Sequence, residues 1–253
     1  MRIYPFSAGY IACEKETFSP GGGDAWGHVP VPFYLICHKG KHVLFDTGNP
    51  ASIIGRVIDE KARQRGMVMT QAEYAPNAIS AVGIRPEDVD LVLLSHLHVD
   101  HVGAAQAFPN ATVVVRLREY LYAQKPDDFM AHVYAAFQAL PDLNWYLIPG
   151  DEPFDPFGDG RLTLISTPGH TPGHQSLLLN TDQSGAMLLT ADACYSKANL
   201  TGRLLPQDLV CDRTAYFESL DRIRLYQKAG VTVITGHDED EWAHMKHAPV
   251  YYT

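Results

Sequence analysis

The chain is short of cysteine, of basic charge and of long apolar runs, and each shortage closes a class of function. Cys13, Cys37, Cys194 and Cys211 show no C-x-x-C spacing, so neither a zinc knuckle nor a dithiol redox pair is suggested. An even number permits two disulfides, but isolated thiols in an intracellular core are the expectation. Met1-Arg2-Ile3-Tyr4-Pro5 lacks the apolar stretch of a signal peptide. No segment approaches the roughly 20 consecutive apolar residues of a membrane span. A soluble cytoplasmic protein without a membrane partner is therefore expected. Lys and Arg number 20 against 29 Asp and Glu, a formal charge of −9. Binding a phosphate backbone needs a basic face, so no nucleic-acid partner is expected. Linkers, low-complexity tracts and short internal repeats are also missing, which argues against disordered arrays and solenoids.

What is present suits a single globular domain spanning residues 1–253. Hydrophobic residues make up 46% and charged residues 19%, and a chain of this length buries roughly three quarters of its unfolded surface without staples. Phe33 to His38 and His42 to Asp46 read as strands joined by Lys39-Gly40-Lys41. Ahead of them, Gly21-Gly22-Gly23, Pro30 and Pro32 suggest a flexible loop holding Trp26 and His28. Ala51 to Tyr74 reads as partly helical, with an apolar Met67-Val68-Met69 run that lacks a partner face and is compatible with a homodimer. Val89 to Leu94 is a nearly continuous apolar run, the pattern of a strand buried on both faces. Ala111–Val115, Asn144–Ile148, Leu162–Ser166, Gln175–Leu179, Ala186–Thr190 and Val231–Thr235 are further strands. Helical patterns fill 77–82, 116–124 and 128–140, and Asp212 is placed to cap another helix that stops at Gly230. Strands in two groups, each interleaved with helices, predict an α/β domain with sheets inside and helices outside.

The chemistry is concentrated at strand ends. The buried run feeds into Ser95-His96-Leu97-His98-Val99-Asp100-His101, an H-x-H-x-D-H string. Residues two apart on an extended segment project to one side, so His96 and His98 can grip one ion while Asp100 and His101 turn toward a second. Later strands end at His170, at Asp192 and at His237. His170 can complete the first ion's ligands and His237 the second's, and Asp192, with two oxygens, suits a bridge between them. Two ions about 3.5–4 Å apart would hold a hydroxide between them and polarise a carbonyl. Zinc is the first expectation for imidazole and carboxylate donors, and iron, cobalt and manganese use similar sites. His28, His132 and His174 read as structural, with His174 placed to support the ligands from behind. Asp46 is read as holding the ligand loop by hydrogen bonds.

These residues resemble the metallo-β-lactamase superfamily, from Leu44-Phe45-Asp46-Thr47-Gly48 to Gly236-His237. The resemblance implies a four-layer αββα sandwich. Within that superfamily the chain is most similar to the N-acyl-homoserine lactonases, the quorum-quenching enzymes. Thr167-Pro168-Gly169-His170-Thr171-Pro172-Gly173-His174 looks like their doubled P-G-H stretch, and Asp192-Ala193-Cys194-Tyr195 puts a tyrosine where they carry a catalytic one. Gly236-His237-Asp238 and the Ala248-to-Tyr252 tail are similar as well. Val99 stands where some of these lactonases have an aromatic residue, and Val102-Gly103-Ala104 replaces a common small-Gly-Gly sequence at what reads as a helix start.

The resemblance implies a metal-dependent hydrolase that opens a small-molecule lactone by attack of the bridging hydroxide. Tyr195 would donate to the carbonyl or the developing oxyanion, and Asp100 would orient or carry a proton to the leaving alkoxide. Trp26, Met67 and Met69 are apolar candidates for contact with an acyl chain. Three alternatives stay open: a glyoxalase-II-like thioesterase, a phosphotriesterase-type hydrolase, and a non-catalytic metal-binding sensor on the same scaffold. Oxygen chemistry at iron in the same ligand set is also compatible with the sequence.

Overall fold

In the computed structural model, which describes residues 1–206 and 210–253, strands dominate the first half. The order is β1 (Arg2–Glu14), β2 (Trp26–His38), β3 (Lys41–Phe45), β4 (Gly66–Val68), α1 (Ala75–Ser80), β5 (Leu91–Leu93) and α2 (Val99–Val102). It continues with β6 (Thr112–Arg116), α3 (Leu117–Gln124), α4 (Ala131–Gln138), β7 (Trp145–Ile148), β8 (Leu162–Ser166), β9 (Gln175–Asn180) and β10 (Ala186–Leu189). The last elements are α5 (Lys197–Gly202), α6 (Arg213–Lys228), β11 (Thr232–Ile234) and α7 (Glu239–His244). One sheet has the order β4-β1-β2-β3-β5-β6-β7 and the other β11-β10-β9-β8.

The period of two along each strand decides the layering. Ile36, Val43, Phe45, Leu93 and Val114 on the large sheet meet Leu164, Leu177, Leu179, Met187 and Leu189 on the small one, forming the core between the sheets. Their neighbours Leu35, Leu44, Val92 and Val113 face the other way, with Ile79, Val102, Tyr134 and Phe137 from the helices. On the far side of the small sheet, Leu188 and Val233 pack on Tyr216, Leu220 and Ile223 of α6. The result is the expected four-layer αββα sandwich. Each buried aliphatic side chain contributes about 1.5–3 kcal/mol relative to exposure. Asp212 caps α6, its carboxylate accepting from the amides of Thr214 and Ala215 at 2.9 and 3.0 Å.

Three segments differ from expectation. Residues 26–32 are not a flexible loop but the first half of β2, paired with β1, with Pro30 opposite Tyr10 and Pro32 opposite Ser7. A register shift between Ser7 and Tyr10 supplies the bulge at which proline is tolerated in a sheet. Ala51 to Tyr74 holds a 3-10 turn at Ala51–Ile53, β4 and further turns, and no α-helix. The Met67 run finds its partner within the chain, because β4 pairs with β1 and buries Met69 to 1% exposure.

Candidate metal centre

The candidate ligands sit where strands run out of hydrogen-bond partners and turn. Beyond β5 the chain runs through His96-Leu97-His98, with Leu97 in the hydrophobic core and the flanking imidazoles in the metal-type cluster. His98 then serves as the N-cap of α2, whose first turn carries Asp100 and His101. His170 lies in the loop from β8 to β9, Asp192 in the 3-10 turn after β10, and His237 just past β11. Gln175, the first residue of β9, fastens that loop to the histidine string, its amide donating to Ser95 O at 2.9 Å and its side chain to Leu94 O at 2.8 Å.

All the predicted metal-type side chains come together. His96, His98, His170 and Asp192 present donor atoms within 4.8 Å of one another, and Asp100, His101 and His237 do the same. Asp192 lies between the groups. Its Oδ2 is 3.2 Å from His170 Nε2 and 3.7 Å from His96 Nε2, and its Oδ1 is 3.2 Å from Nε2 of both His101 and His237. None of these residues is more than 8% exposed.

The orientation of the imidazoles tests whether a cation fits. His101 Nδ1 is held by Asp46 Oδ2 at 2.8 Å and His237 Nδ1 by Pro30 O at 2.7 Å. A proton kept on Nδ1 leaves Nε2 as a lone pair. Nε2 of both rings and Asp192 Oδ1 are buried without a hydrogen bond, a cost of about 1–3 kcal/mol each unless something else satisfies them. Converging buried lone pairs and carboxylate oxygens are the donor set of a divalent metal. Burial, then the neighbouring imidazoles, keeps His96 and His98 well below the ordinary histidine range, as neutral donors. Burial also works against a charged His101, yet Asp192, Asp100 and Asp46 outweigh it and raise its pKa well above normal, so Nε2 is a lone pair only with a cation beside it and otherwise takes up a proton facing Asp192. Asp192 has the converse balance: burial raises it, and His101, His237 and His170 hold it well below the usual carboxylate range. The carboxylates call for positive charge at this point.

A second set of contacts holds the centre in place. Asp46 accepts from Ser95 N at 2.7 Å and Ser95 Oγ at 2.9 Å as well as bonding His101, the task read for it from sequence. Glu119, on α3 and fully buried, gave no signal there, because a glutamate in the first turn of a helix ordinarily faces solvent. Its Oε1 accepts from Leu97 N at 3.2 Å and Tyr134 Oη at 2.8 Å, and its Oε2 from Thr171 Oγ1 at 2.7 Å and Gly173 N at 3.1 Å. The Tyr134 ring lies 4.7 Å from His98 in an edge-to-face contact. Phe18, also unanticipated, packs 5.0 Å from both Tyr195 and His237. His174 is buried behind His96, 5.1 Å between ring centroids, with its Nδ1 2.9 Å from Thr167 Oγ1.

A cavity of about 1030 Å³ opens onto this centre, reaching His98, Asp100, Asp192 and Tyr195. Tyr195 Oη is 3.1 Å from His170 Nδ1, and burial, with Asp192 beside it, keeps the phenol protonated far above its usual range. Of the acyl-contact candidates only Met67 lines the cavity. Met69 is in the core, and Trp26 lies under Arg63, 5.3 Å from the guanidinium carbon. His132 does line the cavity, against its structural reading, whereas His28 pairs with Glu60 at the surface. Val99 lines it too, and Gly103 closes α2 rather than starting it.

Known proteins are similar to this chain in sequence and fold. The pattern of the metallo-beta-lactamase superfamily matches residues 26–237. The N-acyl homoserine lactonase AttM of Rhizobium radiobacter is 37% identical, over 100% of this chain and 98% of its own length. An N-acyl homoserine lactonase of Bacillus cereus is 33% identical over 99% and 98%. A solved N-acyl homoserine lactone hydrolase, with its product N-hexanoyl-L-homoserine at the catalytic metal centre, superposes with a TM-score of 0.84 at 29% identity, covering 99% of this chain and 98% of that one. With the pattern spanning most of the chain and relatives matched along its full length, the protein belongs to the metallo-beta-lactamase superfamily and, within it, to the N-acyl homoserine lactonase family.

Proposed function

We propose that this protein is a dinuclear metal-dependent lactonase that opens the ring of N-acyl homoserine lactones. The observation that carries the reading is Asp192, which turns one oxygen to each of two donor groups at the floor of a cavity large enough for an acylated lactone. Two divalent ions, zinc in this proposal, held by His96, His98 and His170 and by Asp100, His101 and His237 with Asp192 shared, would supply Lewis acidity toward the lactone carbonyl and activate a water at neutral pH.

The chain's own residues do the rest. The phenol of Tyr195, kept protonated by burial, donates a hydrogen bond to the carbonyl oxygen as negative charge develops there. Asp100, whose carboxylate borders the cavity, takes up the proton released by the attacking water and passes it to the alkoxide that leaves as the ring opens. Met67, Val99 and Val133 give the acyl arm an apolar wall.

The test is a panel of lactones of varied chain length, run beside S-lactoylglutathione and paraoxon on protein of measured metal content. Lactone turnover should dominate, and fast thioester hydrolysis with negligible lactone opening would reverse the assignment. Tyr195→Phe should lower kcat on the lactone by roughly 10²–10³, and unchanged turnover would remove the tyrosine from the mechanism. Action in the cytoplasm and a homodimer are further parts of this proposal, checked by fractionation and by sedimentation against the 28.0 kDa chain mass. Among the described residues no helix is long and apolar enough to cross a membrane.

A further inference from the structure

The cavity is lined by charge of both signs, and only the acidic part belongs to the metal centre. Its lining carboxylates among the described residues, Asp100 and Asp192, are buried at the floor, whereas Arg56 and Arg65 line it from exposed positions. Among the described residues neither arginine meets a carboxylate. Arg63, Arg85, Arg161 and Arg203 each do. In a chain of net charge −9, two unneutralised guanidiniums on one cavity are against the prevailing sign. A cation–π contact explains part of Arg65, whose guanidinium carbon is 5.9 Å from the Phe18 ring centroid. It explains nothing of Arg56.

The same contact sets an upper limit. Phe18 lies 5.0 Å from the Tyr195 ring, so two contacts in series keep the Arg65 guanidinium no farther than about 11 Å from Tyr195, within reach of an extended arm of at most roughly nine single bonds. We propose that Arg56 and Arg65 form a subsite for negative charge at the far end of the substrate, and that the protein accepts lactones whose acyl arm ends in a carboxylate. The inference rests on the lactonase reading for its substrate class. Guanidinium is the side chain best matched to a carboxylate in a forked, two-bond contact. Being exposed, each pair contributes modestly and is screened by salt. Being remote from the reacting carbonyl, the contact holds ground state and transition state alike, so it acts on KM and not on kcat.

The experiment compares the parent with an Arg56→Ala/Arg65→Ala double variant on two lactones of equal arm length, one ending in a carboxylate and one in a methyl group. At low ionic strength the double variant should raise KM for the carboxylate-ended lactone about tenfold, with kcat unchanged and the methyl-ended lactone within about twofold. The difference should shrink at high salt, and an Arg56→Lys/Arg65→Lys variant should recover most of it. Equal changes on both lactones, or none on either, would overturn the subsite. Calorimetric binding of the ring-opened, carboxylate-ended acid is measured in parallel. If the parent hydrolyses neither lactone, the lactonase reading fails, and this binding decides the subsite alone: a loss of about tenfold in the double variant supports it, and equal or absent binding refutes it.

Discussion

Removing the Glu119 carboxylate should loosen one half of the metal centre and leave the other in place. Its four donors come from segments that carry His96, His98 and His170 or pack on them: Leu97 lies between the first two, Tyr134 of α4 packs on His98, and Thr171 and Gly173 follow His170. In Glu119→Ala the hydroxyls of Tyr134 and Thr171 can rotate toward other acceptors, but the amides of Leu97 and Gly173 cannot. Two buried amides without partners cost about 1–3 kcal/mol each. Against this, burial raises the Glu119 pKa despite its hydrogen bonds, so the parent already bears a desolvation penalty that the variant sheds. The net loss is about 2–4 kcal/mol, which for a chain of this length lowers Tm by roughly 5–15 °C. His101 and His237 are anchored independently, by Asp46 and Pro30. Metal should therefore be lost unequally, with one of two equivalents dissociating far more readily in competition with a chelator. Glu119→Gln keeps the volume but turns an amide NH₂ toward either Leu97 N or Gly173 N, so its melting point should fall between those of the parent and the alanine variant. An alanine variant that melts within about 2 °C of the parent and keeps both metal equivalents would refute this account.

Three more outcomes follow from the same geometry. Asp46→Asn should preserve the backbone, because asparagine tolerates the φ of 58° at that position, yet weaken metal binding about 10–100-fold by losing the carboxylate on His101; metal competition reads this directly. Gly173→Ala should destabilise by about 1–3 kcal/mol or more, since a Cβ there would lie 2.2 Å from Glu119 N, and an unchanged melting curve would show the loop free to move. Burial pushes the thiols of Cys13 and Cys211 up to about 11 and raises Cys37 and Cys194 as well. A thiol reagent at pH 8 should therefore label the native protein slowly, while all four unpaired cysteines react in denaturant; rapid labelling of the folded chain would contradict the burial.

The sequence by itself determined the strands that end in chemistry and the side chains they deliver. Val89 to Leu94, Leu162 to Ser166, Ala186 to Thr190 and Val231 to Thr235 are legible because apolar runs of strand length stop abruptly at histidine or aspartate, a local pattern with a local cause. Strands in two groups predicted sheets inside and helices outside, and the four-layer sandwich was implied by the resemblance to the metallo-β-lactamase superfamily. The sequence could not show that 26–32 is a strand, because Pro30 and Pro32 are turn residues unless a bulge on a neighbouring strand accommodates them. Nor could it separate Met67 from Met69, whose fates depend on how β4 lies on β1. What only the tertiary structure decided are relations between distant segments: which imidazole nitrogen faces the donor cluster, how Asp192 turns one oxygen to each donor group, why a helix glutamate at 119 is buried, and why Arg56 and Arg65 line a cavity without a carboxylate partner among the described residues. Strand periodicity is set by near neighbours in the chain, whereas each of these depends on a hydrogen bond, packing contact or charge supplied from a distant segment.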